Sequence, residues 1–128
     1  MYNGKEAKVE RLEKDFADIP AGSTMLIATP LIVDGYIKHI ARGHTGSLQQ
    51  MRKDLAAQYH AQYTCPITSG IFLRIVAEAA YEQYEEGMPL DEITPFWRMI
   101  DSRSPTAKKL SFGVEFIKLQ RKKEGLSY

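Results

Sequence analysis

The chain has 128 residues, 44% of them hydrophobic, which is enough for one packed core and excludes a large multidomain enzyme. Seventeen Lys and Arg stand against sixteen Asp and Glu, so bulk charge selects no partner and only its distribution along the chain can. Cys65 is the sole cysteine, which excludes an intramolecular disulfide and a multi-cysteine zinc site and favours a reducing compartment.

No run approaches the length of a membrane-spanning segment, and the opening MYNGKEAKVERLEKDF lacks the apolar core of a signal peptide. The expectation is a soluble cytoplasmic protein without a membrane partner. Residues 5–18 mix four bases with five acids and place Val9, Leu12 and Phe16 at helical spacing, which predicts a short amphipathic helix behind a mobile tail. IPAGST then breaks regular structure, so residues 1–22 are expected to form an N-terminal extension and residues 23–128 the domain proper.

Thr29 can cap a helix with Pro30 in its first turn and Ile32, Val33, Tyr36, Ile37 and Ile40 on its buried stripe, with Met25–Ile27 as an alternative strand before it. After the glycine-containing ARGHTGS, Ser47 and Gln50 have capping-box spacing, and Leu48, Met51, Leu55 and Tyr59 share one side of the helix they open. Ser69 is expected to cap the strongest helix. Its packed face is read as Phe72, Ile75, Val76, Ala79 and Ala80, and Gly87 stops it. ITPFWRMID is short and aromatic, better suited to an irregular or strand-like element. SRSPTAKKLSFG is turn-rich, and VEFIKLQRKKEG closes the chain as an amphipathic helix with Val114, Phe116 and Leu119 inward.

Charge is uneven. Arg98, Arg103, Lys108, Lys109, Lys118, Arg121, Lys122 and Lys123 are opposed only by Asp101 and Glu115, a net +6. The stretch from Arg74 to Glu92 carries six acids and one base. A basic end beside a helical core can bind phosphates, although an ordinary solvated helix has the same composition. Arg74, set among apolar residues on the strongest helix, can project away from a core and toward a groove of DNA. Cys65 lies near a helix start that could lower a thiol pKa, but YTCPIT offers no base, and His39, His44 and His60 have no spacing that fixes a Cys–His pair. A small packing residue is the favoured reading of Cys65. No metal, phosphate-loop or dinucleotide motif is present, so no metal or other cofactor is expected.

From Thr29 to Gly125, about three quarters of the chain, the order of segments resembles the C-terminal DNA-binding domain of O6-alkylguanine-DNA alkyltransferases. It is most similar to the stand-alone alkyltransferase-like branch of that methylated-DNA–protein cysteine methyltransferase family. IARG and HTGSLQQMRKDLA resemble the turn and first helix of the family's helix-turn-helix, and TCPITSGIFLRIVAEAA resembles its recognition helix. ITPFWR stands where the family has Pro-Cys-His-Arg, and FIKLQRKKEG resembles its closing Lys-x-x-Leu-Leu-x-x-Glu-Gly helix. The resemblance implies a mainly α, small winged helix-turn-helix-like domain with a minor β or irregular wing. Against the family's Arg-Ala-Val-Gly-x-Ala it makes Arg74 the arginine that fills the space of a flipped nucleotide, with small Ala77 and Ala79 allowing close approach.

Departures from the family carry equal information. Phe96 and Trp97 replace the cysteine and histidine, so neither nucleophile nor proton acceptor remains, while Pro95 and Arg98 are retained. Leu48 falls at the family's phosphate-rotating tyrosine, and SPTAKKLSFG matches its glycine-rich loop poorly. The reading is therefore a non-enzymatic protein binding double-stranded DNA, damaged or not, with a repair protein as a further partner. Ser47, Ser69, Arg74, Arg98, Lys118, Arg121 and Lys122 are the DNA-binding candidates, and Pro95, Phe96 and Trp97 line a vestigial base pocket. The alternatives are a protein-interaction module on the same fold and a thiol enzyme using Cys65.

Overall fold

The computed structural model describes residues 6–127 and forms a small, mainly helical domain with a minor three-stranded sheet. Strand β1 (Lys8–Arg11) pairs antiparallel with β2 (Thr24–Ile27), which pairs in parallel with β3 (Tyr63–Thr64). Helices α1 (Pro30–Lys38), α2 (Leu48–Gln58), α3 (Pro66–Glu85), α4 (Pro105–Lys108) and α5 (Glu115–Lys123) make up the rest, with 3-10 turns at Leu90–Glu92 and Phe96–Arg98.

The helix expected within residues 5–18 is instead β1 and a turn. Backbone pairing of Val9 with Leu26 satisfies the amide groups a short helix would have left open, and Ala17 in the left-handed region (φ 53°) stops any helix there. Leu12 and Phe16 pack with Ile19, Met25 and Cys65 in a small second core. Arg52 of α2 fixes this segment, donating to both carboxylate oxygens of Asp18 at 3.0 and 2.9 Å and to the Thr64 carbonyl at 2.9 Å. The expected tail at residues 1–5 lies outside the described residues.

Sequence signals place α1 and α2 well. Thr29 Oγ1 accepts the Ile32 amide at 3.0 Å, and Val33 and Ile37 are fully buried. Ser47 Oγ accepts the Gln50 amide at 3.1 Å, but the Gln50 side chain turns forward to Asp54 (2.8 Å) rather than closing the box. Tyr36 donates to the same Asp54 carboxylate at 2.5 Å and so ties α1 to α2. Gly46 is needed just before α2, because a Cβ there would lie 2.7 Å from Met99 Sδ and 2.9 Å from Ile40 Cδ1.

Helix α3 departs from the expected register at both its start and its face. It begins at Pro66 with Cys65 at the cap; Ser69 is already inside the first turn, donating its hydroxyl to the Cys65 carbonyl at 2.6 Å. Proline is pre-organised for the first helical position, so the cap and the helix start fall four residues earlier than expected. The buried face is Ser69, Leu73, Val76, Ala77 and Ala80, which leaves Ile75 and Ala79 exposed. Gly87 (φ 108°) ends the helix: Met88 donates to Gln83 and Gly87 to Tyr84, satisfying the last carbonyls. In α5, Ile117, Gln120 and Arg121 are buried, whereas Leu119 is exposed. Among the described residues no helix is long and apolar enough to cross a membrane.

Candidate nucleic-acid interface

Consecutive helices α2 and α3, joined through β3, present a groove of about 440 Å³ with α4. Ile67, Gly70, Ile71 and Arg74 form its α3 wall, at the i, i+3, i+4, i+7 spacing of one helix face. Leu48 comes from the first turn of α2, and Pro105, Thr106 and Lys109 close the opposite side. Arg74 and Lys109 bring two positive charges to walls that carry no carboxylate. Among the described residues neither makes an ion pair. Arg74 is half-buried and lines the groove with the exposed Ile67 and Ile71, and the neighbouring Ile75, expected on the packed face, is exposed as well.

The loop side of this groove has a local cause. Ser104 Oγ caps α4 by accepting the Ala107 amide at 3.2 Å, and Pro105 takes the first helical position. Glu78 of α3 then holds the following loop by accepting the Ser111 amide (2.7 Å) and hydroxyl (2.5 Å). Lys109 belongs to the basic interval but not to the DNA-binding candidates; the Ser-Pro pair that starts α4 is the signal that could have placed it.

Candidate residues in the second 3-10 turn and α5 have different fates. Arg121 is 5% exposed and donates to the Trp97 carbonyl at 2.7 Å and to the Ser127 carbonyl, so it is a core crosslink and not a phosphate contact. Arg98 donates to Glu124 at 2.9 and 3.1 Å and to the Ile40 carbonyl at 2.8 Å. Its charge is spent inside the fold. Lys118 lies 3.8 Å from Glu115, and Lys122 is exposed. Ser69 is fully buried, so it has no access to a nucleic acid, while Ser47 is exposed at the α2 cap.

Glu124 is the residue that sequence reasoning missed. Its side chain is 2% exposed and accepts from Trp97 Nε1 at 2.7 Å, from Arg98, and from the Gly43 amide at 3.1 Å. Burial alone would push this carboxyl up. Hydrogen bonds from Arg98, Trp97 and Gly43, with the charge of Arg98, outweigh burial and hold it at about 2. Gly125 (φ 75°) ends α5 through a bond from Leu126 to the Arg121 carbonyl (2.8 Å), and that turn aims Glu124 inward. The Glu-Gly ending was the only sequence signal for it.

Phe96 is fully buried, its ring 5.5 Å from Trp97, 5.7 Å from Phe112 and 5.8 Å from Phe116. Trp97 is buried beside it, and Pro95 is half-buried at the edge of a separate groove. The positions that the resemblance equates with a cysteine and a histidine are thus filled by packed aromatic rings. Cys65 is 3% exposed and packs with Ile19 and Met25. His60 is exposed in the left-handed turn after α2 (φ 57°), and His39 bonds through Nδ1 to the Gly35 carbonyl at 2.7 Å. No cluster of three or more potential metal-ligating side chains occurs among the described residues.

Compared with protein-family models, with curated proteins and with solved structures, the chain gives no match.

Proposed function

We propose that this chain is a non-enzymatic DNA-binding domain that presents α3 and its groove to duplex DNA. One observation carries the reading: Arg74, which the alkyltransferase resemblance makes the intercalating arginine, lines one open groove together with Lys109, and no carboxylate lines that groove. Two cations with no lining carboxylate supply the attraction for phosphates.

The narrower form of this reading is damage recognition, with Arg74 entering the stack in place of an extruded base. Because Phe96 stands where the resemblance places the reactive cysteine, no thiol at that position could take an alkyl group from such a base. A second reading, a protein-interaction module, draws on the exposed Ile67, Ile71 and Ile75, an apolar stripe that a purely electrostatic contact does not need.

Fluorescence anisotropy with a duplex, at roughly 50 and 200 mM salt, tests the main reading. Affinity should fall with salt and drop about tenfold in Arg74→Ala, with a smaller loss in Lys122→Ala. Absence of binding at low salt would move the weight to the protein-interaction module. A 2-aminopurine probe that brightens with the wild type but not with Arg74→Ala would support base extrusion.

A further inference from the structure

A duplex seated at the α3 groove could run along α3 or across it, and the exposed charges decide between the two. The face of α3 that carries Ile67, Ile71 and Arg74 continues at helical spacing as Glu78, Glu82 and Glu85, of which Glu82 and Glu85 are exposed. Phosphates laid along the helix would meet those carboxylates, so the C-terminal half of α3 repels a duplex.

Across α4 the charges have the opposite sign. A second groove, of about 480 Å³, is lined by Arg103, Lys122, Gly125, Leu126 and Ser127, again with no carboxylate. Asp101 stands two residues before Arg103, and its Oδ1 already accepts the Arg103 backbone amide at 2.9 Å. Arg103 and Lys122 are exposed, as is Lys108 in the segment that links the two grooves. Among the described residues the side-chain ion pairs belong to Lys8, Lys38, Arg52, Arg98 and Lys118, so these three cations, like Arg74 and Lys109, are unpaired.

The two grooves are within reach of one duplex. Arg103 and Lys109 lie six residues apart in sequence, which limits their Cα separation to about 20 Å for an extended chain, and the turn of α4 between them shortens it. A DNA strand advances about 3.4 Å along the axis per phosphate, so the gap corresponds to at most about six phosphates.

We propose that duplex DNA crosses the N-terminal half of α3 and passes over α4 to the groove of Arg103 and Lys122, which holds its backbone at a second phosphate contact. The proposal rests on the reading of α3 as the DNA-binding helix.

Anisotropy of the full chain with a duplex of roughly 20 base pairs, measured across a range of salt, tests it. In Arg103→Gln/Lys122→Gln the slope of log affinity against log salt should lose about 2 in magnitude, about 1 for each phosphate contact removed. Lys14→Gln/Lys53→Gln removes the same charge from exposed positions that line neither groove, and should keep the wild-type slope. Equal losses from the two pairs would overturn the path over α4 and leave the α3 reading standing. So would an unchanged slope in Arg103→Gln/Lys122→Gln while Arg74→Ala still weakens binding. Absence of wild-type binding at about 50 mM salt would overturn both.

Discussion

Two regions of this molecule are rich in arginine and lysine, and they use the charge in opposite ways. Around the second 3-10 turn and α5, Arg98 and Arg121 are turned inward onto Glu124 and the carbonyls of Ile40 and Trp97. Around α3 and α4, Arg74 and Lys109 remain directed at an open groove. The region with more bases in sequence is therefore not the stronger candidate for binding phosphates. What separates them is the neighbourhood: buried carbonyls and a carboxylate capture a guanidinium, whereas the sides of α3 and α4 facing the groove offer none.

The inward region should respond first through stability. Phe96→Ala removes a fully buried ring from a five-ring neighbourhood with Tyr81, Trp97, Phe112 and Phe116, and should cost about 3–5 kcal/mol in denaturant unfolding. A loss below about 1 kcal/mol would show that the rings are loosely packed and would break the comparison.

Glu124→Gln comes next, at about 2–3 kcal/mol near neutral pH, because it leaves Arg98 without its charge partner. The carboxyl sits at about 2 in the fold against an ordinary value of 4.5. Its folded pKa is depressed, so its stabilisation is complete above about pH 4.5 and is lost as pH falls toward 2. Wild-type unfolding measured across that window should converge on the variant. Parallel curves would mean that Glu124 is not the group responsible.

At the groove end the effects should be smaller. Ser47→Ala removes the cap accepting the Gln50 amide and should cost about 1 kcal/mol, with recovery in Ser47→Asp. Ile71→Ala should leave stability within about 0.5 kcal/mol of wild type, since the residue is exposed. A larger loss would reassign the isoleucine stripe to the core and remove it from any interface.

Much of the fold was legible because its signals are local. Thr29-Pro30 and Ser47 announce helix starts through their own side chains, and Gly87 announces a stop through the left-handed conformation that it alone tolerates cheaply. The misreadings share a cause. Ser69 looked like a cap, but Pro66 had already begun the helix and the hydroxyl bonded back to Cys65. Val9, Leu12 and Phe16 have helical spacing, but β2 offered paired backbone partners 13 to 19 residues away.

Of the candidate site, the sequence determined the kinds of chemistry available: a guanidinium on α3, bases after residue 98, and aromatic rings where the resemblance places a cysteine and histidine. Only the tertiary structure decided which charges remain available. A guanidinium's partners are set by which carbonyls and carboxylates lie within about 3 Å, and apart from Ser127 those of Arg98 and Arg121 come from positions 24 to 58 residues away. Arg74 stays available for an anion because the helix face that carries it meets Leu48, Pro105, Thr106 and Lys109, none of which carries a carboxylate.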